Sequence, residues 1–253
     1  MIGAPPAYWI NRAEDETRRQ RMTAWLEDHR MPHVRIEAVT PEAGFDVKVR
    51  KHHSGLTKKV EVACVASHLK AVQQAQDDGH NVALIMEDDI HPVCRFDFAA
   101  LMESAPPDWQ VLQLHLINAP FVERLGKIYR QFGVHWQEWE TPHHSCAAYL
   151  VNKDGMARLS ALYMPEEGYI DLSIIQAVRR LTAEYVIYKR TASYSSTVPL
   201  FLHDPSLGSA LHPENLGRHQ EALEMNEAVI AAIGNQVAEA GTGAVYPFAV
   251  AEA

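Results

Sequence analysis

Short apolar runs alternate along the chain with longer amphipathic ones. "AYWI" (7–10) reads as a first strand, and the stretch from about residue 14 to 28 puts Met22, Trp25 and Leu26 on one helical face. "VRIEAV" (34–39) is a second candidate strand. Beyond a basic loop, "KVRKHHSGLTKK", the residues Val62, Val65, Ala66, Leu69 and Val72 recur at helical spacing up to "DDGH", where Gly79 is the expected left-handed cap. "VALIM" (82–86) follows at once; it is too short for a helical repeat and reads as a buried strand. "VLQLHL" (111–116) alternates, "CAAYLV" (146–151) is apolar, and "NKDGMARLSALY" predicts a capped helix with Met156, Leu159 and Leu162 facing inward. A helix starting near Asp171, a strand at "EYVIYK" and a final helix over about 213–233 complete the pattern, with an Ala/Gly-rich tail beyond 234 expected to fray. Strands and helices that take turns in this way predict the α/β class.

The exit of the VALIM strand changes the picture. Glu87, Asp88 and Asp89 stand side by side where a buried strand leaves the sheet, and in an open α/β sheet that edge is where ligands bind. Alternation along an extended segment sends Glu87 and Asp89 to one side and Asp88 to the other. Three adjacent carboxylates are also what a solvated turn would carry; what favours a site is that a hard divalent cation shared with a diphosphate needs such a cluster.

Composition and charge narrow the function classes. A length of 253 residues without a Pro/Gly/Ser-rich break suits one main domain, taken as 1–212, followed by a C-terminal helix and tail over 213–253. The excess of 32 acidic over 23 basic residues disfavours a nucleic-acid partner. Cys64, Cys94 and Cys146 are too few and too scattered for a disulfide framework and suit reduced thiols in a cytoplasmic protein. With no uncharged apolar run of the ~18 residues that a span requires, membrane contact is expected to be peripheral at most, at the inner face.

"YWINRAEDETRRQRM", "VEVACVASHLKAVQQA", "VALIMEDDIHPV" and "SCAAYLVNKDGMARL" occur in the order and near the spacing of the family 25 glycosyltransferases, which the chain resembles over roughly residues 7–210. This group includes lipooligosaccharide, lipopolysaccharide and collagen galactosyltransferases. The resemblance implies a single GT-A-like, Rossmann-like mixed-sheet domain, a UDP-hexose donor with galactose favoured, manganese or magnesium, inversion at the anomeric carbon, and a glycan or lipid-linked glycan as acceptor. Carried over by residue, it places Asn11, Arg18, Glu61, Ser67, His68 and Glu87 around the donor. Arg12, Ala13 and Glu14 depart from the Leu-Asp-Arg that usually follows Ile-Asn, and Ala63 replaces a glycine, which puts the first-loop contacts in doubt.

An inverting transfer needs a carboxylate base besides the metal site. Alternation assigns Asp89 to the metal, Glu87 to the ribose or the metal's water shell and Asp88 to the donor sugar. Asp171, in "PEEGYIDLSII", is the base candidate, its competing use being a helix cap; Glu166 and Glu167 are the fallbacks. His203, before Asp204, Pro205 and Gly208 in "VPLFLHDPSLGSALH", is the second metal-ligand candidate, against the reading of a solvated turn.

Other features carry less. Ser67 and His68 have no acid at triad spacing, so a hydrolase arrangement is disfavoured. His143 and His144 read as exposed loop histidines. Lys48, Arg50, Lys51, Lys58 and Lys59 read as solvated charge more than as a phosphate site. Trp109, Trp136 and Trp139 are candidates for sugar stacking; Trp136 and Trp139, at i, i+3 spacing, are equally core candidates. Two rivals stand beside the enzyme: a receiver-type signalling domain, whose acidic pair follows its first strand, and a non-catalytic sugar-nucleotide or glycan-binding protein on the same scaffold.

Overall fold

The computed structural model describes residues 1, 3–42, 46–50, 57–166, 168–175, 181–208, 215–239 and 246–250. Its centre is β1 (Ala7–Asn11), buried along its whole length. Ala7 and Trp9 face one core cluster while Tyr8 and Ile10 face the other, as the two-residue strand period requires. Two-sided burial explains why "AYWI" has no polar position.

After β1 come α1 (Glu16–Asp28) and β2 (His33–Glu37), which pairs parallel to β1. The chain then crosses to the other side of β1 through α2 (Lys59–Asp77) and enters β4 (Val82–Glu87), also parallel to β1. Gly79, at φ 77°, follows the end of α2 in the left-handed conformation expected of it. The short β3 (Asp46–Lys48), between β2 and α2, pairs with β9 (Tyr169–Asp171) outside the main sheet.

Seven strands form that sheet in the order β2-β1-β4-β8-β6-β10-β7. Here β6 is Val111–Gln113, β7 is Trp136–Glu138, β8 is Ala148–Asn152 and β10 is Ser193–Ser196. β8 runs against β4 and β6, and β7 against β10, so the sheet is mixed. One face carries α2 and α5 (Lys153–Tyr163), capped by Asn152. The other carries α1, α3 (Phe98–Glu103), α4 (Ala119–Phe132) and the long C-terminal α7 (Leu216–Glu239), which packs on α4. The α/β class with a mixed sheet and a C-terminal helix is thus present.

Four expectations change. "EYVIYK" lies in a helix, α6 (Ala183–Tyr188), because Ala183, Val186 and Ile187 are buried at i, i+3 and i+4. Asp171 ends strand β9 and does not open a helix there; its carboxylate accepts from Ser173 N at 2.8 Å. Trp136 and Trp139 are core, but Trp136 opens strand β7 (Trp136–Glu138) and Trp139 follows its end, and the two enter opposite clusters. The tail is not frayed over 246–250: Asp97 N and Val250 N bond across to Phe248 O and Arg95 O, and Tyr246 Oη donates to Pro199 O at 2.6 Å.

α5 meets the sheet closely at Gly155, where an added Cβ would lie 2.5 Å from Gln110 O and 3.1 Å from Val151 Cγ2. The nearest obstacle is backbone that β6 and β8 hold in place. Gly155→Ala is therefore expected to destabilise the fold by about 1–3 kcal/mol, read as a lower denaturation midpoint with an unchanged slope.

Candidate functional site

The strand order reverses between β1 and β4, since β1 leads to β2 on one side and the crossover through α2 leads to β4 on the other. That switch point opens a crevice at the carboxyl ends of both strands. Asn11 ends β1 and Glu87 ends β4, so the sequence delivers an amide and the acidic triplet to the same edge.

Asp88 is the buried member. Its Oδ2 accepts from Asn11 Nδ2 at 2.6 Å and its Oδ1 from Arg18 Nη1 at 2.8 Å. Asn11 Oδ1 accepts from Arg35 Nε at 2.9 Å, which ties β2 to the same point. Arg18 Nη2 donates to Leu207 O and Gly208 O, each at 2.8 Å, and its guanidinium stands 3.5 Å from Asp89. Burial pushes the Asp88 carboxyl upward against the pull of Asn11 and Arg18.

Two cavities meet at the triplet. The first, about 320 Å³, is lined by Asn11, Arg12, Arg18, Val39, Ser67 and His68; the second, about 160 Å³, by Glu61, His115, Ser145, Glu184, His203 and His219. Cys64, Glu87 and Asp89 border both, whereas Asp88 borders the first alone. Asp88 and Asp89 lie in the turn between β4 and β5, not on an extended strand, so it is the turn, and not strand alternation, that separates Asp88 from the second cavity. Asp89 is pushed up to about 8, first by burial and then by the Glu87 charge, with Arg18 opposing.

Other side chains build the walls. Glu61 Oε2 accepts from Lys58 N at 2.7 Å and caps the start of α2. Ser67 Oγ accepts from Val39 N at 2.9 Å and so fixes the segment after β2. His68 lies between Glu87 Oε1, 3.3 Å from Nε2, and Tyr149 Oη, 3.4 Å from Nδ1.

Across the triplet, His203 ends β11 (Phe201–His203), which pairs with β5 (Ile90–Pro92) directly after Asp89. It is buried, and its Nε2 has no hydrogen-bond partner among the described residues. His203 Nδ1 is 3.3 Å from His115 Nε2, and His115 Nδ1 is 2.7 Å from Ser145 Oγ. With protons on both Nδ1 atoms, this chain leaves His203 Nε2 as a bare acceptor, the tautomer a metal ligand requires. Burial lowers the pKa of both imidazoles and keeps them neutral. Ser145 holds φ 126°, a conformation a side chain rarely adopts, fastened by Gln113 Nε2 and Tyr188 Oη on its carbonyl.

The remaining candidates fall elsewhere. Asp171 borders neither cavity; Ser173 and Lys48, whose Nζ is 2.9 Å away, hold its carboxyl below the usual range. Glu166 is likewise outside both, and Glu167 and Lys51 lie outside the described residues. His143, in a turn closed by its N–H on Glu140 O, is buried with its Nδ1 2.9 Å from Ser195 Oγ, and of the two only His144 is exposed. Lys48 and Lys59 are exposed, and Trp109 packs beside the core. Sequence reading missed His115, Ser145 and Glu184. A polar residue just beyond the end of an apolar strand was the available signal for His115; the misread α6 hid Glu184.

The Asp89 proton is kept in the folded state where the unfolded chain has lost it. The folded state binds more protons between 3.8 and about 8, so stability falls as pH rises through that window. Asp89→Asn removes the dependence: in chelator-treated protein its Tm is expected to match the parent near pH 4 and to exceed it at pH 8, read by thermal denaturation.

No curated protein matches the chain. It is similar to the crystal structure of a glycosyltransferase involved in the glycosylation of the major capsid of PBCV-1, at 11% identity over 88% of this chain and 99% of that one, with a TM-score of 0.41. It is also similar to A197 from STIV, at 6% identity over 76% and 81%, with a TM-score of 0.39. Residues 4–174, which carry β1 through β9 and the whole triplet, match the family described as glycosyltransferase family 25 (LPS biosynthesis protein). The chain belongs to glycosyltransferase family 25.

Proposed function

We propose that this glycosyltransferase moves a hexose, galactose first among the candidates, from UDP-hexose to a hydroxyl of a glycan or lipid-linked glycan, with inversion. One observation carries the reading: two cavities meet at Glu87 and Asp89, at the sheet's switch point. The cavity between β1 and α2 suits the nucleotide, with Asn11 and Arg18 near the diphosphate and Ser67, His68 and Glu87 toward the nucleoside. The smaller cavity suits the sugar and the acceptor. Among the described residues no helix is long and apolar enough to cross a membrane, in keeping with an acceptor met in solution or at a membrane surface.

The donor set suits manganese or magnesium. Asp89 offers carboxylate oxygens, Glu87 stands beside it, and His203 Nε2 is buried without another partner among the described residues. Such an ion, when bound, neutralises the diphosphate as it leaves. The chain's own residues do the rest. Arg18 brings a fixed positive charge, Asp88 holds Arg18 and Asn11 in place, and a carboxylate takes the acceptor proton. Glu184, on the first turn of α6, borders the same cavity as Asp89 and His203 and is the carboxylate best placed for that proton. Asp171 is the second reading, supported by family resemblance.

Release of UDP from a panel of UDP-hexoses, with and without manganese, tests the reaction. Manganese-dependent release is expected, and UDP binding without turnover would leave a non-catalytic sugar-nucleotide-binding protein. Asp89→Asn should abolish manganese-dependent UDP binding in a folded protein, and His203→Ala should weaken it, with partial recovery in His203→Asp. Unchanged affinity in His203→Ala removes His203 from the site.

The base is tested separately. Glu184→Gln should keep UDP-hexose affinity and lose about two to four orders of magnitude in rate, while Asp171→Asn changes the rate little. The reverse pattern would move the base to Asp171.

A further inference from the structure

Cys64, His68 and Glu87 converge in a way that sugar transfer does not call for. Cys64 and His68 are four residues apart on α2 and so share a face, which looks onto the end of β4 where Glu87 emerges. One ligand atom from each lies within 4.8 Å of the other two. Two N/O ligands of a tetrahedral zinc centre sit ~3.3 Å apart, and a sulfur and a nitrogen ~3.6 Å apart, given bond lengths of ~2.0 and ~2.3 Å. The His68 Nε2 to Glu87 Oε1 separation is already 3.3 Å. As a hydrogen bond it lies at the weak end; as the edge of a coordination tetrahedron it needs no change. Cys64, partly exposed, completes the set with its Sγ within 4.8 Å of both other ligand atoms.

The surroundings suit a metal ligand. Tyr149 Oη, buried and 3.4 Å from His68 Nδ1, accepts from Nδ1–H as readily as it donates to a bare Nδ1. His68 therefore switches to the tautomer with a free Nε2 without moving, and the hydroxyl then orients it from behind. Cys64 and Glu87 border both cavities, which leaves a fourth position facing open space. A thiolate, an imidazole and a carboxylate form a borderline-soft set that selects zinc over the manganese or magnesium suited to Asp89.

We propose that Cys64, His68 and Glu87 form a zinc site that shares only Glu87 with the Asp89 site, and that filling it withdraws Glu87 from the donor and lowers nucleotide affinity. The zinc site stands on its own geometry; the effect on the donor rests on the proposed function.

Cobalt(II) titration of the intact protein, followed by optical spectroscopy, tests the site without reference to activity. Tetrahedral visible bands are expected with a near-ultraviolet thiolate-to-cobalt charge-transfer band. That band is lost in Cys64→Ser, diminished in His68→Gln and retained in Cys94→Ser, and zinc displaces the cobalt. A parallel calorimetric titration should show zinc affinity at least about tenfold weaker in His68→Gln. Because Cys64→Ser could fail to fold, alkylation of the parent protein is followed by mass spectrometry, where zinc should protect Cys64 and not Cys94. Absence of the charge-transfer band, its survival in Cys64→Ser, or unprotected Cys64 would each overturn the site. UDP binding is then measured with and without zinc: weaker binding is expected, and unchanged binding overturns the competition. The cobalt and alkylation results decide the metal site even in a protein that never binds UDP.

Discussion

The site depends on one buried carboxylate. Asp88 receives Asn11 from β1 and Arg18 from α1, and Arg18 in turn reaches the carbonyls of Leu207 and Gly208, far along the chain. Burying a carboxylate costs several kcal/mol unless charge and hydrogen bonds offset it. Here an amide and a guanidinium do so, and their identities are thereby fixed. A neutral side chain at 88 would take from Arg18 the carboxylate it bonds at 2.8 Å and cut the link between the first strand and the late loop.

This division of labour explains why three acids stand in a row. The middle one is spent on architecture, and its neighbours, at the strand end and in the turn that follows, border both cavities. Asp89 and Glu87 are left close together with partial compensation from Arg18 at 3.5 Å from Asp89. Burial and the Glu87 charge make the ionised form of Asp89 costly until a cation arrives, so an arrangement unfavourable to the empty protein favours ligand binding. The histidine chain from Ser145 through His115 to His203 is the neutral counterpart on the opposite wall.

Most of the frame was legible from periodicity, because strands buried on both faces leave uninterrupted apolar runs and the helices packed on them leave a 3.6-residue stripe. β1, β4, α2, α5 and the turn at Gly79 are of this kind. The ordered motifs also delivered Asn11, Arg18, Ser67, His68 and the triplet to one edge. What the sequence concealed depends on tertiary context. A six-residue run such as that of α6 is too short for its period to separate helix from strand. Asp171 looks equally acidic whether it faces a substrate or Lys48 and Ser173. The backbone twist at Ser145 has no sequence signature, and the proximity of Cys64 to Glu87 arises only once α2 is laid against β4.

The grip of Arg18 on the carbonyls of Leu207 and Gly208 has a thermodynamic corollary. Arg18 Nη2 is already engaged by two acceptors, so an anion that recruits this side chain competes with the loop for the same donors. Occupancy by such an anion and loop position then share one coupling free energy, and linkage makes the effect reciprocal: whatever displaces the loop favours the anion by the same factor with which the anion favours displacement. Residues 207 and 208 lie far in sequence from the cavity between β1 and α2, yet they are held by a side chain that lines it. Under the proposed function, departure of the nucleotide would therefore favour the return of Leu207 and Gly208 to Arg18.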